Sequence, residues 1–119
     1  MSLTIEAIVD AYKKHDLYPI EGEFLSEEQD LCCGLTAYAI SRSESKEEFL
    51  EALSKNQLVD FQTVIFSRVM KDNPSLSHHQ LESFIAGWDG QEVGDASADL
   101  RFYTLGNNAW RAVNEEVAK

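Results

Sequence analysis

The sequence has little of what would make a membrane span, a fibre or a linker. Its longest apolar stretches, Leu35 to Ile40 and Val64 to Phe66, are far too short to cross a bilayer. Two prolines and six glycines in 119 residues mark no flexible linker, and there is no internal repeat or low-complexity tract. The opening residues, Met1 to Glu6, lack the basic segment, apolar stretch and small-residue cleavage site of a signal peptide, so the expected compartment is the cytoplasm. The two cysteines, Cys32 and Cys33, are adjacent. Neighbouring Cα atoms about 3.8 Å apart lie closer than ordinary disulfide geometry tolerates, which suits a reducing environment.

Bases are scarce as well. Ten Lys and Arg against 21 Asp and Glu give a formal charge of −11. The densest basic cluster is the pair Lys13-Lys14, far short of the basic face that a phosphate backbone needs, so direct nucleic-acid binding is not expected. Glycine-rich phosphate loops, Gly-x-Ser-x-Gly elbows and His-Glu-x-x-His pairs are missing too, and no cofactor is expected.

What is present is enough apolar material for one core. Hydrophobic residues make up 44% and aromatics 10%, and the length suits a single globular domain over residues 1–119. The negative charge is uneven. Residues 1–60 hold 13 acids and 5 bases, residues 61–119 hold 8 and 5. Glu21, Glu23, Glu27, Glu28 and Asp30 fall in ten residues without one base. Such a run is either an acidic contact surface or a solvated face.

Helix punctuation is strong. Ile5, Ile8, Val9 and Tyr12 follow the spacing of one helical face, predicting a helix over residues 4–15. Pro19 disfavours helix at Tyr18 and Gly22 can turn the chain, so an extended segment or small hairpin is predicted near residues 17–25. Three Ser-x-x-Glu/Gln starts follow, at Ser26 with Gln29, Ser45 with Glu48, and Ser77 with Gln80, the last clamped by Leu76 and Leu81. A start at Asp30 is the alternative for the first of them. The segment from Leu58 to Val69 reads best as helix, although Val59, Phe61, Thr63 and Ile65 also alternate like a strand. Trp88-Asp89-Gly90 reads as a helix end, and a last helix is expected from Asp95 or Ser97, with Phe102, Gly106, Ala109, Trp110, Val113 and Val117 on one face. Gly106 would let a neighbouring helix or large aromatic approach closely. The predicted fold is mainly α, a compact bundle of about five to six short helices.

Asp30-Leu31-Cys32-Cys33-Gly34-Leu35-Thr36-Ala37-Tyr38 resembles the Cys-Ser-Gly-Leu stretch that opens the nucleophile helix of NlpC/P60-type cysteine peptidases, with Cys32 at the nucleophile position. The resemblance covers about nine of the 119 residues. It implies a thiolate at a helix N-terminus with a histidine beside it. The histidines are His15, His78 and His79, and the last two fall in the first turn of a predicted helix, where the dipole lowers imidazole basicity. If Ser26 starts the second helix, Cys32 and Cys33 lie inside it as inert core residues; if Asp30 does, both fall in its first turn.

A zinc site from Cys32, Cys33, His78 and His79 has the right donors and the wrong spacing. Asp89, Gln91, Asp95 and Asp99 suggest calcium and fail the EF-hand pattern at Val93 and Leu100. Trp88 and Trp110 read as packing residues. The expectation is therefore a non-catalytic interaction protein whose carboxylates Glu21, Glu23, Glu27, Glu28 and Asp30 dock on a basic protein, or imitate a phosphate track. The alternative is a thiol hydrolase using Cys32 or Cys33 with His78 or His79. A third reading is a homo-oligomer whose apolar stripes are partly buried between subunits.

Overall fold

The computed structural model describes residues 3–26, 30–55, 61–91 and 99–117. Thr4 opens the first helix, α1 (Ile5–Lys14), by accepting a hydrogen bond from the Ala7 backbone N–H. His15 ends it, and Asp16 takes a left-handed φ of 53° where glycine is the usual residue. That turn lets the Leu17 N–H reach back to the Tyr12 carbonyl and drives Leu17 into the core.

The extended segment expected near residues 17–25 is present, and its partner lies further along the chain. Tyr18–Pro19 (β1) pairs in parallel with Leu31–Cys32 (β2), and Leu25 bridges Cys32 in antiparallel sense. This pairing corrects the predicted start of the second helix, which is neither Ser26 nor Asp30. The Cys33 N–H goes to the Phe24 carbonyl, while the Leu31 N–H meets the Ser26 hydroxyl, so residues 31–33 are committed to sheet partners before a helix can begin. Gln29 lies outside the described residues. Helix α2 (Gly34–Ser41) therefore starts after Cys33, and all but its last residue are buried. Enclosed on nearly every side, α2 carries no amphipathic stripe.

Helix α3 (Lys46–Lys55) begins as expected, with the Ser45 hydroxyl accepting the Glu48 N–H. Helix α4 (Phe61–Asp72) resolves the helix-or-strand ambiguity in favour of helix, and Asn73 and Pro74 follow its end. Asn73 is a buried knot: its carbonyl oxygen accepts the Leu3 N–H, and its amide donates to the Tyr38 hydroxyl and the Val69 carbonyl. Ser77 and Gln80 form the full reciprocal cap of α5 (His78–Trp88), whose C-cap is Asp89 with Gly90 in the left-handed region. The last helix, α6 (Leu100–Glu116), starts later than predicted. Its cap is Asp99, which accepts from the Arg101 and Phe102 N–H groups; Asp95 and Ser97 lie outside the described residues.

Among the described residues, the fold is thus six helices and a two-stranded parallel sheet around one core. No helix among them is long and apolar enough to cross a membrane. Among the described elements, α5 and α6 pack against each other most extensively. Gly87 and Gly106 face each other across their contact, and a Cβ added at Gly87 would stand 1.9 Å from the Tyr103 carbonyl oxygen.

Candidate functional site

The acidic segment hangs from the end of α5 by two hydrogen bonds. The Trp88 indole N–H donates to the Ile20 carbonyl at 2.9 Å, and the Gly22 N–H donates to Asp89 Oδ1 at 2.9 Å. Between and beyond these anchors Glu21 and Glu23 are exposed and Asp30 is half-buried. None of the three carboxylates forms an ion pair with a described residue. Glu27 and Glu28 lie outside the described residues.

Several cations elsewhere are already paired. Among the described residues, five carboxylate pairs, Lys13–Glu116, Arg42–Asp72, Lys55–Glu51, Arg68–Glu48 and Arg101–Asp99, engage five Lys and Arg side chains. Each is at the surface and contributes little stability. Their effect is on the surface field: Glu21, Glu23 and Asp30 are left without an ion-pair partner among the described residues.

The cysteines occupy a different environment. Cys32 and Cys33 are free and buried, and Cys33 caps α2 with no side-chain cap bond. Its thiol sits 3.4 Å from the Thr36 hydroxyl and lines a cleft of about 50 Å³ with Gly22, Glu23, Phe24, Ile85 and Asp89. That volume is room for about one or two waters. Burial pushes both thiols up from their ordinary range; for Cys32 the neighbouring Cys33 adds to the shift, and for Cys33 the contacts with Thr36 pull only partly the other way. The helix start after Cys33 does match the position that activates a thiol. Desolvation outweighs the terminal dipole, because removing a thiolate from water costs more than a short helix returns.

The structure does not bring the histidines to this thiol. Gly34, next to Cys33, packs beneath Trp88 and Phe84 at the C-terminal end of α5, whereas His78 and His79 begin that helix. Seven residues from His78 to Ile85 correspond to roughly 10 Å of helix rise, well beyond proton-transfer reach. His78 instead lies edge-on to Phe66, with ring centroids 5.3 Å apart. His15 sits beside Lys46 and Glu47 at the start of α3, and burial with the charge of Lys14 lowers its basicity. Both cysteines are expected to resist alkylation in the native protein up to about pH 9, past the ordinary thiol value of roughly 8.5, and to label only on unfolding. Stability follows the same asymmetry: above that value the unfolded chain loses thiol protons that the folded chain keeps, so it falls as pH rises. Rapid native labelling at pH 7 followed by mass spectrometry would refute the buried assignment.

The remaining candidates have local structural duties. Asp89 holds Gly22, Asp99 caps α6, and the Gln91 carbonyl accepts the Tyr103 hydroxyl, while Asp95 lies outside the described residues. Among the described residues, no three His, Cys, Asp or Glu side chains are placed to share a metal ion. Trp88 is buried, and Trp110 meets it edge-on at 5.2 Å, so both pack as expected. Sequence reasoning missed a polar groove between α3, α4 and the start of α5, which includes Arg68, Lys71 and His78. Its signal was the recurrence of Thr63, Ser67 and Lys71 at four-residue spacing on one helical face. No family model, curated protein or solved structure matches the chain.

Proposed function

We propose that this protein is a non-catalytic interaction module whose acidic segment, Glu21 to Asp30, docks on a basic partner protein. The observation that supports it is the segment pinned at Ile20 and Gly22, which carries the exposed Glu21 and Glu23 without an ion-pair partner among the described residues. Anchoring matters because a held segment loses less conformational entropy on binding than a free one. With a net charge of −11, long-range attraction speeds encounter with a cationic surface and selects against anionic ones. A partner whose basic groove normally holds nucleic acid is a special case of this chemistry.

The test is a charge reversal. The triple variant Glu21→Lys, Glu23→Lys, Asp30→Lys should lose association with a polylysine surface by at least about tenfold at low ionic strength, and wild-type binding should weaken steadily as salt is raised. Reversal of the exposed Glu82 and Glu115, which lie outside the segment, should have a smaller effect. Equal losses from the two sets would reduce the segment to ordinary surface charge, and salt-independent binding would remove the electrostatic basis altogether.

A further inference from the structure

On a chain with twice as many acids as bases, one face concentrates cationic and hydroxyl donors. Arg68, Lys71 and Ser67 of α4 line an open groove of about 780 Å³ together with His78 from the start of α5 and Glu48 of α3. Arg68 is held rigidly there. Its Nη1 donates to the Ser43 hydroxyl and to one oxygen of Glu48, its Nη2 donates to the other oxygen, and the Phe49 ring lies 5.8 Å from the guanidinium carbon. A guanidinium has five N–H donors, so these three bonds leave two without a partner among the described residues. Ser67 and Lys71 are exposed, and neither has a partner among those residues. His78 lines the same groove and lies edge-on to Phe66.

We infer that this groove is a binding site for a small phosphate-bearing ligand. Arg68 and Lys71 carry two positive charges against the single negative charge of Glu48, a local excess of one. Carboxylates further than about 8 Å oppose it weakly, because salt screens their field over that length under physiological conditions. The donors favour a tetrahedral oxyanion over a planar carboxylate. Glu48 fills the end fork made by Nη1 and Nη2, so the Nε–H and the second Nη2–H remain as a parallel side fork that takes two oxygens of one anion. A planar carboxylate spends both of its oxygens on that fork, whereas a phosphate keeps further oxygens for the Ser67 hydroxyl and the Lys71 ammonium that line the same groove. Glu48 positions Arg68 rather than touching the ligand.

The groove is independent of the acidic segment and is tested separately. Backbone amide shifts of the 15N-labelled protein are followed while inorganic phosphate, or citrate as the carboxylate probe, replaces chloride at constant ionic strength. The expected result is a saturable shift at Ser67, Arg68, Lys71 and His78 with phosphate, tighter than with citrate. Lys71→Glu should weaken phosphate binding at least about tenfold, as loss and inversion of one charge-assisted contact predicts. Its thermal melt should fall only slightly, because the side chain is exposed with no partner among the described residues and its place in the last turn of α4 is worth at most about 1 kcal/mol through the helix dipole. Phosphate shifts that never saturate, that spread evenly over the surface, or that survive Lys71→Glu would overturn the assignment, and tighter binding of citrate would overturn the ligand class.

Discussion

Gly106→Ala is expected to destabilise the protein by about 3 kcal/mol or more, against the usual direction of a glycine-to-alanine change inside a helix. Helix propensity alone favours alanine by about 1 kcal/mol, so the sign of the effect is diagnostic. A Cβ at Gly106 would stand 2.0 Å from the Phe84 carbonyl oxygen and 2.9 Å from the Trp88 nitrogen. Both are backbone atoms of α5 and cannot swing aside. Even a favourable carbon–oxygen contact of this kind needs about 3.3 Å, so the helices would have to part by more than an ångström. Separation would loosen Phe84, Trp88, Ala109 and Val113 together, all of which are buried. Gly87→Ala meets the reciprocal wall, 1.9 Å from the Tyr103 carbonyl oxygen, and should cost a similar amount. The double variant should cost clearly less than the sum, since the second methyl enters a gap the first has opened. Urea unfolding of the three variants measures this. A midpoint unchanged or raised in either single variant would show that α5 and α6 do not cross this closely.

This crossing marks where the sequence was legible and where it was not. Gly106 on an otherwise apolar face was readable as a site of close approach, because only a missing side chain explains a gap in such a stripe. Gly87 gave no such signal: it sits in Gly87-Trp88-Asp89-Gly90, where it is indistinguishable from helix-end punctuation until its partner is seen. Ser45 and Ser77 were readable as caps because the cap is a local contract between residues three apart. Ser26 carried the same pattern and does something else, accepting the Leu31 N–H beside a strand. A parallel pairing joins residues thirteen apart, Tyr18 with Leu31, and two-residue strands leave no alternation to read. The acidic segment was visible as composition. Its anchoring to α5 was not, since the Trp88–Ile20 bond spans 68 residues. The groove was hidden for a similar reason: Arg68 and Lys71 look like solvated surface until α3 and the start of α5 close around them.

Trp88 ties that core to the acidic segment, and its replacement is expected to affect both. It is almost wholly buried, stacks nearly parallel on Tyr12 and Phe84 with centroids 6.1 and 6.4 Å away, and takes Trp110 edge-on. Gly34 is small because the indole lies against it; a Cβ there would be 3.0 Å from the ring. Trp88→Ala should therefore cost about 3–5 kcal/mol, a large share of the roughly 5–15 kcal/mol that holds a domain folded. Trp88→Phe is the more informative change. It keeps most of the stacking, leaves a smaller void, and removes the N–H that holds Ile20, so the expected cost is about 1–3 kcal/mol. Its local effect should exceed its global one. Amide exchange at Gly22 and around Ile20 should accelerate more than exchange in α4, because the α5 anchor is lost while the core persists. If the segment does dock on a cationic surface, the same variant should bind polylysine less tightly with all its carboxylates intact, as a released segment must be ordered on binding. Uniform acceleration throughout the chain would mean that Trp88 serves the core alone, and unchanged exchange at both sites would mean that the bond to Ile20 contributes nothing.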